Sequence, residues 1–326
     1  MRGKPTRRAA LIALAAFAAA TNLSQAADFP SKPLRWIVAY APGGGSDFLA
    51  RTVAARLAAQ LGQPIVIDNR PGAATIVGAQ LAASAPGDGY TLFTADNGSL
   101  IFNPALYAKL PYKVADFSPV GLMARFPLLL VTTPSSGFAT AQAVIDAAKA
   151  DPTRLSFASP GAGGPHHLAM ELLKARAGFE ALHVAYKGAG PAVQDVLSGQ
   201  VPVMILDTAT ALPHLGSGKL KALAVASVDR LPQLPDVPTF RELGYEGVEV
   251  YAWQGLVVAA ATPGAIRDRL TRELQAALAD SATRKSLTDF GLEVTPTDGA
   301  QMAAFMEAET ARWHALIRQR GLKLDQ

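Results

Sequence analysis

Apolar residues in this chain follow two spacings that take turns. Runs of strand length, Leu34-Arg35-Trp36-Ile37-Val38-Ala39, Ile65-Val66-Ile67 and residues 90–95, are separated by helical patterns. Leu49, Val53, Leu57 and Leu61 recur every four residues up to Gly62, which describes an amphipathic helix laid on a sheet and stopped by a glycine. The turn Asp68-Asn69-Arg70-Pro71-Gly72 precedes a second helix, predicted over 73–84 and ended by Pro86-Gly87-Asp88-Gly89. A β-α-β-α-β series of this kind predicts a parallel sheet with helical crossovers, whose ligands sit beyond the carboxyl ends of the strands.

Two further apolar runs, 120–124 and 128–131, flank Arg125-Phe126-Pro127 with no flexible linker, and the crossing into a second lobe is expected there. A helix over 140–150 and a strand over 155–158 open that lobe. Strands over 182–185, 203–206 and 222–226 follow, with helices running to about 197 and 216 between them. Pro232, Pro235 and Pro238 predict a stiff extended segment. The apolar run 253–259 returns the chain to the first lobe, and helices over 263–280, 281–290 and 297–320 close it. The expected fold class is α/β in two lobes, each a mainly parallel sheet with helices on both faces. Residues 27–125 and 253–326 would form the first lobe and 126–252 the second.

Two strand-to-helix turns carry the candidate chemistry. In Tyr40-Ala41-Pro42-Gly43-Gly44-Gly45-Ser46-Asp47, consecutive glycines leave backbone N–H groups unobstructed. The helix that follows adds its own orphan donors and the positive end of its dipole, so an anion is favoured. The loop has no Lys or Arg, which suits a carboxylate held by amide dipoles and hydroxyls and later released. Ser159-Pro160-Gly161-Ala162-Gly163-Gly164-Pro165-His166-His167 repeats this chemistry after another strand, before a helix whose stripe includes Leu168, Leu172 and Leu173. Two such loops, facing across a cleft, would clamp one ligand between two helix N-termini. Asn97, Tyr186 and Asp207 stand at strand ends on the expected cleft side. Asp47 reads first as a cap or dipole partner of its helix and second as a contact for a ligand ammonium. His166 is an extra imidazole beside the second loop.

The 326 residues are 50% apolar and 17% charged, enough for more than one domain. A net charge of +4 would suggest nucleic acid or an anionic membrane, were it not confined to the leader. Arg2, Lys4, Arg7 and Arg8 account for it, leaving 26 basic against 26 acidic side chains in the remainder. That leader has an apolar core over 9–20 and ends in Ser24-Gln25-Ala26, the pattern of a secretory signal peptide cut after Ala26 and too short for an anchor. The chain has no cysteine, which excludes disulfides, a thiolate nucleophile and zinc–thiolate sites. A soluble periplasmic protein is expected.

Further stretches, in order, are Asn69-Arg70-Pro71-Gly72-Ala73, Gly87-Asp88-Gly89-Tyr90-Thr91-Leu92, Asn103-Pro104-Ala105-Leu106-Tyr107 and Leu110-Pro111-Tyr112. Later come His183-Val184-Ala185-Tyr186-Lys187-Gly188, Ser217-Gly218-Lys219-Leu220-Lys221-Ala222-Leu223-Ala224-Val225 and Leu234-Pro235-Asp236-Val237-Pro238-Thr239. With the first glycine loop and His167-Leu168, these resemble the Bug-type extracytoplasmic solute receptors associated with tripartite tricarboxylate transporters. The resemblance implies a type II periplasmic binding protein whose two glycine loops grip carboxylate groups of a small solute, often through ordered water. It also implies membrane transporter subunits as partners, with a sensor protein as the alternative. One departure is Gly164-Pro165, where relatives often place a serine after the second glycine.

An enzyme is the competing class. The first loop lacks the Lys-Ser/Thr continuation of a P-loop, and the second reads Gly-x-Gly-x-x-His, without the third small residue of a dinucleotide fingerprint. Neither Ser46 nor Ser159 lies in a G-x-S-x-G elbow, and the histidines have no H-E-x-x-H spacing. No catalytic residue, metal or cofactor is therefore expected.

Overall fold

The computed structural model describes residues 29–324 apart from residue 154, so the expected signal segment lies outside the described residues. The first half contains β1 (Leu34–Val38), α1 (Gly45–Leu61), β2 (Ile65–Asn69), α2 (Ile76–Ala83) and β3 (Thr91–Asp96). β1 pairs in parallel with both β2 and β3, as the alternating pattern predicts. α1 buries Leu49, Val53, Leu57 and Leu61, and it stops at Gly62 (φ 68°), whose N–H reaches Ala58 O.

The second helix departs from its predicted start. Ala73, Ala74 and Thr75 have φ of 44, 49 and 76°, so regular helix begins only at Ile76. Non-glycine residues enter this left-handed region only when their surroundings hold them there. Here Asn103 Nδ2 donates to Ala74 O at 2.8 Å, and Thr75 is buried. Those tertiary contacts have no trace in local spacing.

The chain continues through a π-helical turn at Gly98–Phe102, α3 (Asn103–Leu106), β4 (Phe117–Thr132), α4 (Ala141–Ala150), β5 (Ser156–Ser159) and α5 (Pro165–Ala177). Next are β6 (Leu182–Ala185), α6 (Ala189–Leu197), β7 (Val203–Asp207), α7 (Thr208–Gly216), β8 (Lys221–Val225) and β9 (Tyr251–Ala259). α8 (Gly264–Ala279), α9 (Ser281–Asp289), β10 (Glu293–Val294) and α10 (Gly299–Gln319) complete it. Side chains of Asp207, Asp280 and Asp298 cap α7, α9 and α10, with Gln301 returning a bond to Asp298 N–H.

The strand order is β2-β1-β3-β9-β4-β7-β5-β6, with β10 and β8 also against β4. The runs 120–124 and 128–131 are not separate elements but parts of one 16-residue strand, β4. Phe126 and Pro127 continue its ladder against Ala252 and Tyr251 of β9, and residues 128–132 pair with β7. The proline at 127 sits where β4 changes partners, which is why it reads as a break in sequence but interrupts nothing in space. Strands at either end of the path are parallel, as in β5 with β6 and β7, whereas β4 and β9 run antiparallel to their neighbours.

One apolar cluster lies under α1, α8 and α9, and another lies under α6 and α7. The largest runs along the other face from Phe93 to Phe157, joined by α10 through Met302, Met306 and Trp313. Trp313 meets Phe102 edge-on at 5.1 Å, so the long C-terminal helix is seated on the π-turn that follows β3. This packing fixes the carboxyl end of β3 beside the first glycine loop.

Candidate functional site

The two glycine loops have the same backbone. Gly43 (φ 85°) and Gly163 (φ 74°) take the left-handed conformation. Gly44 (φ −86°, ψ 176°) and Gly164 (φ −80°, ψ 171°) are extended at the helix N-cap. In each loop the left-handed glycine donates its N–H to the side chain four residues on: Gly43 to Asp47 Oδ2 at 2.9 Å, Gly163 to His167 Nδ1 at 3.1 Å. The first helical bonds, Phe48 N–H to Gly44 O and Leu168 N–H to Gly164 O, also correspond. Among the described residues, the N–H groups of Gly44, Gly45 and Ser46 in one loop, and of Gly164 and His166 in the other, have no acceptor. Each helix thus presents orphan donors and its positive dipole end to whatever lies in front of it.

The side chains around the loops divide into braces and open groups. Asp47 is a brace: it also accepts from Arg51 Nε and from Asn69 Nδ2, both at 2.9 Å. Burial alone would raise its pKa, but these bonds outweigh it and hold the carboxyl below its usual range. Asn97 is another brace, because its Oδ1 accepts Trp253 N–H at 2.9 Å and its Nδ2 donates to Tyr251 O at 3.2 Å. Tyr40 donates its hydroxyl to Asp96, whose other oxygen takes Ser99 N–H and Ser99 Oγ–H. Burial raises the pKa of both Tyr40 and Asp96. Tyr186 donates to Asp195 Oδ2 at 2.6 Å and is pushed up to about 12 by burial and that bond. Pro42 is exposed at the loop tip, and Gly161 and Ala162 are half-buried along the second loop.

Ser46 Oγ is reached by Gln254 Nε2 of β9. A Cβ at Gly45 would lie 2.8 Å from Cε1 of Phe126 on β4. Two residues along β4, Leu128 pairs with Asp207, which caps α7 through Thr210 N–H at 2.9 Å and lies 3.3 Å from His166 Nε2. His166 and Thr210 overcome burial and keep Asp207 below the ordinary carboxylate range. One stretch of β4 therefore stands next to the first loop through Phe126 and, through its pairing with Asp207, next to the residue that His166 of the second loop meets. Asp96 belongs to the strand-end stretch Asp96-Asn97-Gly98-Ser99 expected as a third wall, whereas Phe126 and Gln254 were not among the residues expected from sequence. Their only local signal is position near a strand end.

Behind the second loop, His167 stacks on His183 with ring centroids 3.8 Å apart, and Phe157 lies near both rings, at 4.8 Å from His183 and 6.2 Å from His167. His183 Nε2 meets Ser159 Oγ at 2.7 Å, and Ser159 Oγ–H is placed to donate to Gly161 O at 2.9 Å, so Ser159 holds the loop from inside. Glu171 lies 3.8 Å from His167 Nε2 and is paired with Lys174 and Arg320. Burial, with the charge of Lys174, pushes His167 down to about 4, and burial does the same to His183. A histidine depressed in the folded state contributes stability above its ordinary value of 6.5 and loses it as pH falls toward 4. For the deeply buried His167 the loss is at most about 1.4 kcal/mol per pH unit. Urea unfolding between pH 7 and 4 should show this decline, and His167→Gln should make it shallower, leaving the share of His183. An equal slope in both proteins would mean that other groups titrate.

Among the described residues no group of His, Asp and Glu side chains is placed to hold a metal ion, and no helix is long and apolar enough to cross a membrane.

Two lobes of α/β structure sharing long strands, each with a glycine loop at a helix N-terminus, have the fold of a periplasmic binding protein of the two-lobed type. The comparisons with known proteins agree. Residues 49–322 match the tripartite tricarboxylate transporter family receptor (TctC), and this chain belongs to that family. It is 36% identical over 298 residues to protein BugT of Bordetella pertussis, covering 91% of each chain. The R. palustris protein Rpa4515, solved with adipate, superposes with TM-score 0.85 at 33% identity, covering 92% of this chain and 100% of that one. MatC (Rpa3494) from Rhodopseudomonas palustris, solved with malate, gives 0.80 at 33% identity, covering 89% and 100%. The protein is thus an extracytoplasmic solute receptor and not an enzyme.

Proposed function

We propose that this receptor closes on a small carboxylated solute, gripping it between the free N–H groups of Gly44, Gly45 and Ser46 and those of Gly164 and His166. The observation that carries the reading is the identical backbone of the two loops, each with unpartnered amides at a helix N-terminus and no Lys or Arg within the loop. Adipate and malate in the two solved relatives support the carboxylate class. Tyr40, Pro42, Gly43, Gly161, Ala162 and Gly163 shape the loops. Asp47, Asn97, Ser159, His167, Tyr186 and Asp207 hold the walls behind them.

The lobes divide within β4 near residues 125–126 and again before residue 253, so that closure pivots on β4 and β9. Removal of the leader after Ala26 delivers the protein to the periplasm. Its partners are membrane subunits of a tripartite transporter, to which it hands the solute. A thermal-shift screen of mono-, di- and tricarboxylates and aromatic acids, with matched amides, tests the reading. A true ligand at 100 times its Kd should stabilise by about 2.7 kcal/mol, and its amide should not. Small-angle scattering with that ligand should show compaction. Stabilisation by neutral amides as large as by the acids would overturn the carboxylate assignment.

A further inference from the structure

Gln254 is 5% exposed and stands on β9 directly across from Asp96 of β3 and Ala124 of β4. Its Nε2 donates to Ser46 Oγ, in the first turn of α1, while its Oε1 has no hydrogen-bond partner. A buried amide oxygen without a donor is costly, and one held beside unpartnered loop amides marks a place where a donor belongs. Both amide atoms hang from one carbon, so Oε1 lies next to the residue whose backbone N–H faces the solute. Around it, Asp96 on β3 is taken up by Tyr40 and Ser99, while Ala124 on the neighbouring strand and the Phe126 ring against Gly45 are apolar.

From this we infer that Gln254 Oε1 accepts a hydrogen bond from a hydroxyl on the carbon next to the bound carboxylate, which makes the solute a 2-hydroxycarboxylic acid. The inference rests on the carboxylate reading above and adds the substituent. An ammonium group would call for a free carboxylate. The three nearby are engaged: Asp47 by Gly43, Arg51 and Asn69, Asp207 by Thr210 and His166, and Asp96 by Tyr40 and Ser99. A neutral amide acceptor matches a neutral hydroxyl donor. A 2-oxo group, which is an acceptor only, would face Oε1 with no proton between them.

Titration calorimetry on the mature protein tests this with matched sets: propionate, lactate, pyruvate and alanine; succinate, malate and aspartate; glutarate, 2-hydroxyglutarate, 2-oxoglutarate and glutamate. In the set that binds best, the hydroxy acid should be at least about tenfold tighter than its deoxy partner and tighter than the oxo and amino members. In Gln254→Leu the hydroxy advantage should shrink to about twofold or less while the deoxy acid keeps its affinity. If the thermal midpoint shows that variant unfolded, Gln254→Asn, with the amide withdrawn by one methylene, should selectively weaken the hydroxy acid. The inference is overturned by a deoxy, oxo or amino acid binding as tightly as the hydroxy acid, or by the same preference persisting in the variants. If acids bind with no hydroxyl preference, the carboxylate reading survives alone; if none of the acids binds, both fail.

Discussion

Gly163→Val is expected to abolish solute binding and to lower the free energy of unfolding by about 3 kcal/mol, because two costs fall on one residue. Gly163 has φ of 74°, where a β-branched side chain clashes with its own backbone. Its Cβ would also lie 2.7 Å from Leu324 Cδ1 and 2.8 Å from Leu106 Cδ1. Leu324 is half-buried and can turn aside, but Leu106 is 2% exposed and cannot swing away cheaply. The loop must therefore move, and with it the N–H groups of Gly164 and His166. Gly44→Ala makes the contrast. That residue is extended, and its Cβ would meet only Ala41 O at 3.8 Å. It should fold within about 0.5 kcal/mol of the parent, so any loss of affinity would report a methyl group standing in the path of the solute. Chemical denaturation gives the first quantity, and calorimetry with the best acid from the shift screen gives the second. Parent-like affinity in folded Gly163→Val would remove the second loop from the site.

Glu171→Ala should cost about 3–5 kcal/mol of stability, the largest single-residue effect outside the loops. Glu171 is 3% exposed, with Lys174 Nζ at 2.6 Å from one oxygen and Arg320 Nε at 2.8 Å from the other. Removing it leaves Lys174, itself 5% exposed, with only Glu180 at 3.1 Å. A buried ammonium that loses its closer partner is more costly than the original pair was stabilising. Arg320→Met should cost less, about 1–2 kcal/mol, because Glu171 keeps Lys174. Both variants test whether the end of α10 is tied to α5, since Arg320 also forks onto Glu180 at 2.7 and 2.6 Å. Urea titration distinguishes the cases, and a loss below 1 kcal/mol for Glu171→Ala would mean that water or side-chain rearrangement replaces the network.

The candidate site was legible in sequence to the extent that its chemistry is local. Gly43 to Asp47 and Gly163 to His167 span four residues, and glycine runs after strands announce unobstructed amides whatever surrounds them. The reading of Asp47 as a partner of its own helix turn holds for the same reason, since Gly43 N–H and Arg51 lie within four residues of it. Asn97 was harder. Its position at a strand end suggested a wall of the cleft, but its amide is taken up by the backbone at Tyr251 and Trp253, on a strand far along the chain.

Order and type of most elements, the paired glycine loops and the charge balance of residues 27–326 follow from the sequence by itself, because periodicity and glycine placement act over a few residues. The tertiary structure alone decided that β4 runs unbroken through Phe126 and Pro127, that Ala73 to Thr75 turn left-handed, and that Gln254 stands against Ser46 with one oxygen unmet. The first and last depend on the register between strands distant in sequence, and the turn depends on Asn103, 29 residues from Ala74. Register is fixed by burying whole faces together, and no short window of residues contains that information.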